Sequence, residues 1–270
     1  MNDRRTWIIV TDLDGSLLNH FDYSFEQALP TLTYLQKKNI PVIFNTSKTW
    51  HETRTLQKQL NLLAPFVVEN GSCLYLPKRF FDVVPSQYAY SREDFWAIKL
   101  GKSLAEINRL LDKTTNDQDK LIKLTECTPA QASELTGLTQ EQARAAMQRE
   151  FSQPVIWQGD DEGLVDFKKR LKKQGLNTLQ GGRFLHIQGI TDKGLAIEKI
   201  KTFYGNNVGS IVLGDSANDL AMLNKADIPV VVKSPGNQYL LSEQAFPFIT
   251  SKEAPAGWQE GIEFALEKII

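Results

Sequence analysis

Two carboxylates stand one residue apart at the end of an apolar run, in IIVTDLDGSLLN (residues 8–19). On an extended strand residues i and i+2 share a face, so Asp12 and Asp14 project together from its carboxyl end. Carboxylates held that close repel unless a cation sits between them or one keeps its proton. Taken alone, Asp14-Gly15 also reads as a turn and Asp12 as a cap. Three further segments add chemistry. NTSKT (45–49) puts Thr46, Ser47 and Lys48 where a hydroxyl, backbone N–H groups and a helix N-terminus can hold an anion, although an N-capping hydroxyl explains the same residues. GITDKGLAIEKI (189–200) places Lys193 in the first turn of a helix, where a cation opposes the helix dipole unless an anion binds there; the plainer reading is a solvated lysine. VLGDSANDLAML (212–223) closes a strand with Asp215, a suitable oxygen ligand for a hard cation, and follows it with Asn218 and Asp219, further metal candidates that also suit a helix start. Together these segments supply acids for Mg²⁺ and a hydroxyl and an ammonium for phosphate. That is the equipment of phosphoryl transfer, with Asp12 as the natural nucleophile.

The elements that must position these residues read as α/β. WIIVTD (7–12), IPVIFNTS (40–47) and FVVEN (66–70) are short β-branched runs, alternating with helical stretches. Ser24 with Gln27 resembles a capping box for a helix with Phe25, Leu29, Leu32 and Leu35 on its apolar face, and Thr49 to Asn61 reads as the next helix. The grammar returns as a helix from Asp192 to Phe203, strands at 210–215 and 228–232, and a C-terminal helix. This predicts a Rossmann-like, doubly wound parallel sheet. Between the halves the pattern changes. SLAEINRLL and TQEQARAAMQREF mix with strand-like pieces at 154–158, 177–181 and 183–189. The expectation is a discontinuous core (1–85 and 189–270) with an inserted α+β cap (86–188) lying over the site.

The chain has 270 residues, 41% hydrophobic and 23% charged, with formal net charge −1. This fits a soluble globular protein and gives no nucleic-acid or membrane footprint. Cys73 and Cys127 lack metal or disulfide spacing. No apolar run reaches membrane-span length and the N-terminus has no signal-like stretch, so a cytoplasmic location is the default expectation. A small diffusible ligand is expected; oligomeric state is left open.

DLDGSLL, NTSK, Lys193 and GDSAND, in this order, resemble the four signature motifs of haloacid-dehalogenase-like phosphatases. The resemblance implies Asp12 as nucleophile, Asp14 as general acid and base, and Mg²⁺ held by Asp12, the Asp14 carbonyl and Asp215. It also implies phosphate contacts from Thr46 and Lys193. The acid at Asp14 implies phosphate chemistry, since dehalogenase relatives lack it. NTSKT in place of the commoner TGR, VVENGS, GGRFLHI and GDSANDLAML make the chain similar to mannosyl-3-phosphoglycerate phosphatases over nearly its full length. The implied substrate is a glycosylated 3-phosphoglycerate, with Ser47, Lys48, Glu69, Asn70, Arg183 and His186 as candidate contacts to carboxylate or sugar. Arg183 and His186 also suit an ordinary half-buried strand, and Glu69 with Asn70 suits a loop brace. GDDEG (159–163) reads as a helix cap cluster.

Three rivals share part of this pattern. A sucrose-phosphate or hexose-phosphate phosphatase would keep every catalytic residue and change cap contacts. A phosphate-accepting receiver module uses similar groups but in another strand order and without a cap. A nucleotide-binding Rossmann module is disfavoured because neither glycine-rich phosphate motif follows a strand.

Overall fold

Why a run such as Ile8-Ile9-Val10 carries no polar alternation is explained by the layer it occupies. In the computed structural model, which describes residues 5–81, 84–116, 118–181, 184–235 and 246–269, β1 (Thr6–Thr11) is buried on both faces. Ile8 and Val10 pack into one apolar cluster, Ile9 into another. A strand covered twice must be apolar at both parities, and that is the mark of a sheet sandwiched between helices.

β1 is central. It pairs in parallel with β2 (Val42–Asn45) on one side and β11 (Val208–Gly214) on the other. β3 (Phe66–Val68) continues the parallel sheet beyond β2, and β12 (Ile228–Lys233) and β13 (Ile249–Glu253) beyond β11. Helices α1 (Leu29–Lys37), α2 (Trp50–Gln59) and α9 (Ala256–Glu267) contribute Leu32, Leu35, Trp50, Trp258 and Ile262 to one cluster. Helices α7 (Lys193–Lys201) and α8 (Leu220–Leu223) contribute Ala196, Ile197, Ile200 and Met222 to the other. The doubly wound α/β expectation holds for this half.

The sheet is larger and less parallel than expected. β4 (Cys73–Pro77), β6 (Phe95–Lys99) and β5 (Tyr90–Arg92) extend it antiparallel to nine strands. Residues 90–99 therefore pair with the large sheet, although the sequence reading put them in the insertion. Their alternation is short, and what assigns them is cross-strand pairing with β4, which is non-local. The N-terminal helix also differs. Ser24 caps nothing; a 3₁₀ turn at Glu26–Ala28 precedes α1, and Pro30 sits in its first turn, where its missing N–H costs least.

The inserted segment forms a second, four-stranded antiparallel sheet in the order β7 (Leu121–Lys123), β8 (Ser152–Trp157), β10 (Phe184–Gly189), β9 (Leu176–Gly181). α3 (Leu104–Thr114) and α6 (Asp161–Lys173) cover one face through Ile107, Leu111, Phe167 and Leu171, packed on Val155, Leu185 and Ile187. Asp160 caps α6, accepting from Gly163 N–H at 2.8 Å, as the acidic cluster suggested. His186 has the opposite parity to Leu185 and Ile187 and stands opposite Pro154 and Leu179 in register, so this row faces away from that core. The short helices α4 (Pro129–Thr136) and α5 (Gln140–Met147) each begin with a Thr capping box. No helix among the described residues is long and apolar enough to cross a membrane.

Glu69 ties the two sheets together. It and Asn70 adopt left-handed backbone angles (φ 49° and 56°) in the turn after β3. Its buried carboxylate accepts from Glu150 N–H (2.9 Å), Phe151 N–H (3.1 Å) and the Ser152 hydroxyl (2.6 Å), at the entrance to β8. The predicted role of Glu69 in sugar binding is thereby corrected: its oxygens are occupied by the chain itself, and its part is to brace the loop. Burial pushes its pKa up, against the nearby Arg149 charge and these donors. Glu69→Ala strands three buried donors and should cost about 2–4 kcal/mol, read by chemical denaturation; a loss below about 0.5 kcal/mol would contradict the brace.

Candidate active site

The carboxyl ends of β1, β2, β3 and β11 open into one cleft of about 480 Å³. Its floor carries Asp12, Asp14, Ser47, Lys48, Asn70, Asp215 and Asn218, and its roof carries the outward row of the small sheet, Pro154, Leu179 and His186. A cleft at the strand ends beside the central strand is where open α/β sheets bind ligands. Residues separated by about 200 positions in the chain thus face the same space.

Lys193 organises the floor. Its ammonium, 1% exposed, donates to Asp12 Oδ1 at 2.6 Å and to Asp219 Oδ1 at 2.7 Å. The solvated-lysine alternative is excluded by that burial. Desolvation works against the charge, but the two carboxylates outweigh it and hold Lys193 protonated. Asp192 caps α7 by accepting from Leu195 N–H, and the Asn45 amide donates to the Lys193 carbonyl at 2.9 Å, so the helix start is pinned to the end of β2.

Asp219 is doubly committed. Oδ1 receives Lys193, and Oδ2 accepts from Asp215 N–H (3.0 Å) and Ser216 N–H (3.1 Å). It lies close enough to Asp12 and Asp215 for ligand atoms of all three to fall within 4.8 Å of one another. With its oxygens already bonded, Asp219 serves better as the anchor of Lys193 and of the turn after β11 than as a metal ligand. Asn218 accepts from the Ser216 hydroxyl and reaches Asn70 Oδ1 at 3.4 Å, so it closes the cleft wall.

Asp12, Asp215 and Asp219 against Lys193 leave three negative charges to one positive, a deficit of two that suits a divalent cation. Burial first, then neighbouring carboxylates, pushes Asp12 to about 7 although Lys193 pulls it down, and pushes Asp215 to about 8. Gly15 makes the approach possible. It has φ 79°, and a Cβ there would fall 2.5 Å from Asp215 Oδ2.

The second motif is arranged differently from its sequence reading. Thr46 is buried and its hydroxyl accepts from Lys48 N–H at 3.1 Å, while Ser47 lines the cleft. Thr49 makes the helix cap, in a reciprocal box with Glu52. Lys48 pairs with Asp14 Oδ1 at 2.9 Å, lies 3.9 Å from Glu52 and stands 4.7 Å over the Tyr23 ring. Burial disfavours its charge, but Asp14 and Glu52 prevail and raise its pKa. Lys48 therefore holds Asp14 in place.

On the roof, burial with Arg149 nearby lowers His186 to about 3, so the ring is held neutral. Arg183 lies outside the described residues. Arg149 and Tyr23 line the cleft without any signal in the sequence, and His20, for which the sequence reveals no partner, lines it as well. Arg149 follows a helix in an unremarkable polar stretch, and nothing in its spacing signals a site.

The floor is that of a hydrolase built around paired aspartates, a buried lysine and an excess of two negative charges that suits a divalent ion. The chain belongs to the haloacid dehalogenase-like hydrolase family, whose model matches residues 9–242. It is 36% identical to a glucosyl-3-phosphoglycerate/mannosyl-3-phosphoglycerate phosphatase of Persephonella marina, over 97% of this chain and 98% of the relative. A protein of the same description from Methanococcoides burtonii is 33% identical over 94% of this chain and 95% of its own length. Among solved structures, the haloacid dehalogenase superfamily phosphatase BT1666 from Bacteroides thetaiotaomicron superposes with TM-score 0.68 at 14% identity, covering 99% of this chain and 96% of that one, a likeness of fold.

Two outcomes follow from the floor. Because Asp12 and Asp215 titrate above the ordinary carboxylate value near 4, the cation-free folded state keeps protons that the unfolded chain releases. That contribution is fully present at acid pH and is lost as pH rises through about 7 and 8. A divalent cation that replaces those protons should therefore raise the melting temperature more at about pH 8.5 than at about pH 6; equal shifts would remove the acidic cluster as its site. Lys193→Ala leaves two carboxylates buried without their counter-charge and should cost about 3–5 kcal/mol, measured by denaturant titration.

Proposed function

We propose that this hydrolase is a Mg²⁺-dependent phosphatase that cleaves a glycosyl-3-phosphoglycerate to glycosylglycerate and phosphate through an aspartyl-phosphate. The observation that carries the reading is Asp12, aligned by Lys193 through Oδ1 at 2.6 Å at the bottom of a cleft large enough for a sugar phosphate. The two relatives described above, similar over almost the whole chain, support the substrate class.

Asp12, the Asp14 carbonyl and Asp215 would hold the ion, which when bound neutralises the floor and polarises a phosphoryl oxygen. Lys193 fixes Asp12 Oδ1, and Oδ2 has no hydrogen-bond partner among the described residues, so it can attack phosphorus. Asp14, oriented by Lys48, protonates the departing alkoxide and then takes a proton from the water that cleaves the acyl phosphate. Ser47, with Thr46 behind it, faces the phosphoryl oxygens. Pro154, Leu179 and Phe184 give the roof apolar surface, beside which these charge contacts strengthen. We infer that the smaller sheet acts as the cap and supplies substrate selectivity.

A phosphate-release assay over glycosyl-3-phosphoglycerates, sucrose phosphate and hexose phosphates, with and without Mg²⁺, tests this. The expected result is metal-dependent release with the highest kcat/KM on a glycosyl-3-phosphoglycerate; preference for a neutral sugar phosphate would select the rival phosphatase. Asp12→Asn should lower turnover by about three orders of magnitude or more while the fold persists, since it removes the nucleophile but also one of the repelling charges. Unchanged turnover would take Asp12 out of its role.

A further inference from the structure

A substrate with both a phosphomonoester and a carboxylate brings a second negative charge into a cleft whose floor is already acidic. Among the described residues, the two lysines near that floor are taken. Lys193 is locked between Asp12 and Asp219, and Lys48 between Asp14 and Glu52. Arg149 differs. It follows α5 at the rim of the smaller sheet and lines the cleft with His186 and Leu138. Its Nε–H donates to the Ala146 carbonyl at 2.9 Å and Nη1 to the Ser47 carbonyl at 2.7 Å, so both hydrogen bonds are to neutral groups; the Glu69 carboxylate feels its charge, but its oxygens are taken by backbone and hydroxyl donors, and Arg149 forms no ion pair with a described residue. Those two bonds fix the plane of the guanidinium and leave Nη2 unclaimed among the described residues.

We propose that Arg149 is the specificity-determining contact for the substrate's second anion, receiving the carboxylate of the leaving group on its free guanidinium edge. The proposal rests on the function proposed above and deepens it. A carboxylate matches the planar fork of an arginine, and charge-assisted bonds of this kind strengthen beside an apolar wall such as Leu124, Leu138 and Phe184. The neutral ring of His186 beside it adds polar surface without a competing charge. The bond to Ser47 also places Arg149 at a fixed offset from the loop carrying Thr46 and Lys48, so the distance between two anions is measured between the cap and the phosphate loop. A neutral sugar phosphate would leave the free edge of this guanidinium without a carboxylate to receive.

The test compares kcat/KM for a glycosyl-3-phosphoglycerate and for the same molecule with its carboxylate converted to a carboxamide. Wild-type enzyme should favour the carboxylate by about 10- to 100-fold, and in Arg149→Gln that ratio should collapse toward one. Arg149→Lys keeps the charge without the fork and should show an intermediate ratio; it decides the matter if the glutamine variant does not fold. Wild-type indifference to the carboxamide would overturn the proposed substrate class itself. Discrimination that survives in both variants, or an equal loss on both substrates, would overturn the assignment of Arg149 and leave the phosphatase reading standing.

Discussion

Everything at the floor of the cleft depends on a lysine ammonium with almost no contact with water. Burying that charge carries a desolvation cost of several kcal/mol, and it is tolerated because two carboxylates meet it within hydrogen-bond distance. The consequence is geometric. Asp12 comes from β1, Asp219 from the turn after β11, and Lys193 from the first turn of α7, so one ammonium fixes three elements at a single point. Asp219 extends the lock by holding the backbone of Asp215 and Ser216. The arrangement remains two positive charges short of neutrality, an excess of negative charge that suits a divalent cation.

The second constraint lies at the seam between the two sheets. The turn after β3 adopts three successive left-handed residues, Glu69, Asn70 and Gly71. Such conformations cost about 1–3 kcal/mol each at non-glycine positions and persist where the surroundings over-determine them. Here Glu69 is held by the entrance to β8 and Asn70 by Thr46 and Asn218. The turn therefore couples the phosphate loop, the acidic floor and the smaller sheet. Thr49 and Arg149 add links from α2 and the second motif to the region of α5. A roof tied at several points to the floor can set distances between chemical groups, as recognition of a substrate with two anions requires.

Polar residues lining this cleft and buried behind it divide according to what already occupies them. Lys193, Asp219, Glu69 and Lys48 have their hydrogen-bonding or charge capacity filled by the protein, so their work is positioning. Asp12 Oδ2, the Ser47 hydroxyl and the free edge of Arg149 have no hydrogen-bond partner among the described residues and remain available to a ligand. This division corrects the reading of Glu69 as a sugar contact, since its oxygens are filled by the entrance to β8.

The catalytic floor was legible in the chain because its chemistry demands particular residue types at strand and helix ends, and local rules announce such ends. Alternation placed Asp12 and Asp14 on one face, the run around Asp215 marked another strand terminus, and Lys193 stood out as a cation where a helix dipole disfavours it. The α/β core was legible for the same reason, since strands buried on both faces show as unbroken apolar runs. Pairing partners and side-chain capacity were not legible, because both are non-local. Strands 90–99 join the large sheet through contact with β4, Asp219 is claimed by a lysine 26 positions away, and Arg149 reaches the cleft only once α5 packs against α2. Sequence thus determined which groups could react; the folded chain decided which of them are still free to do so.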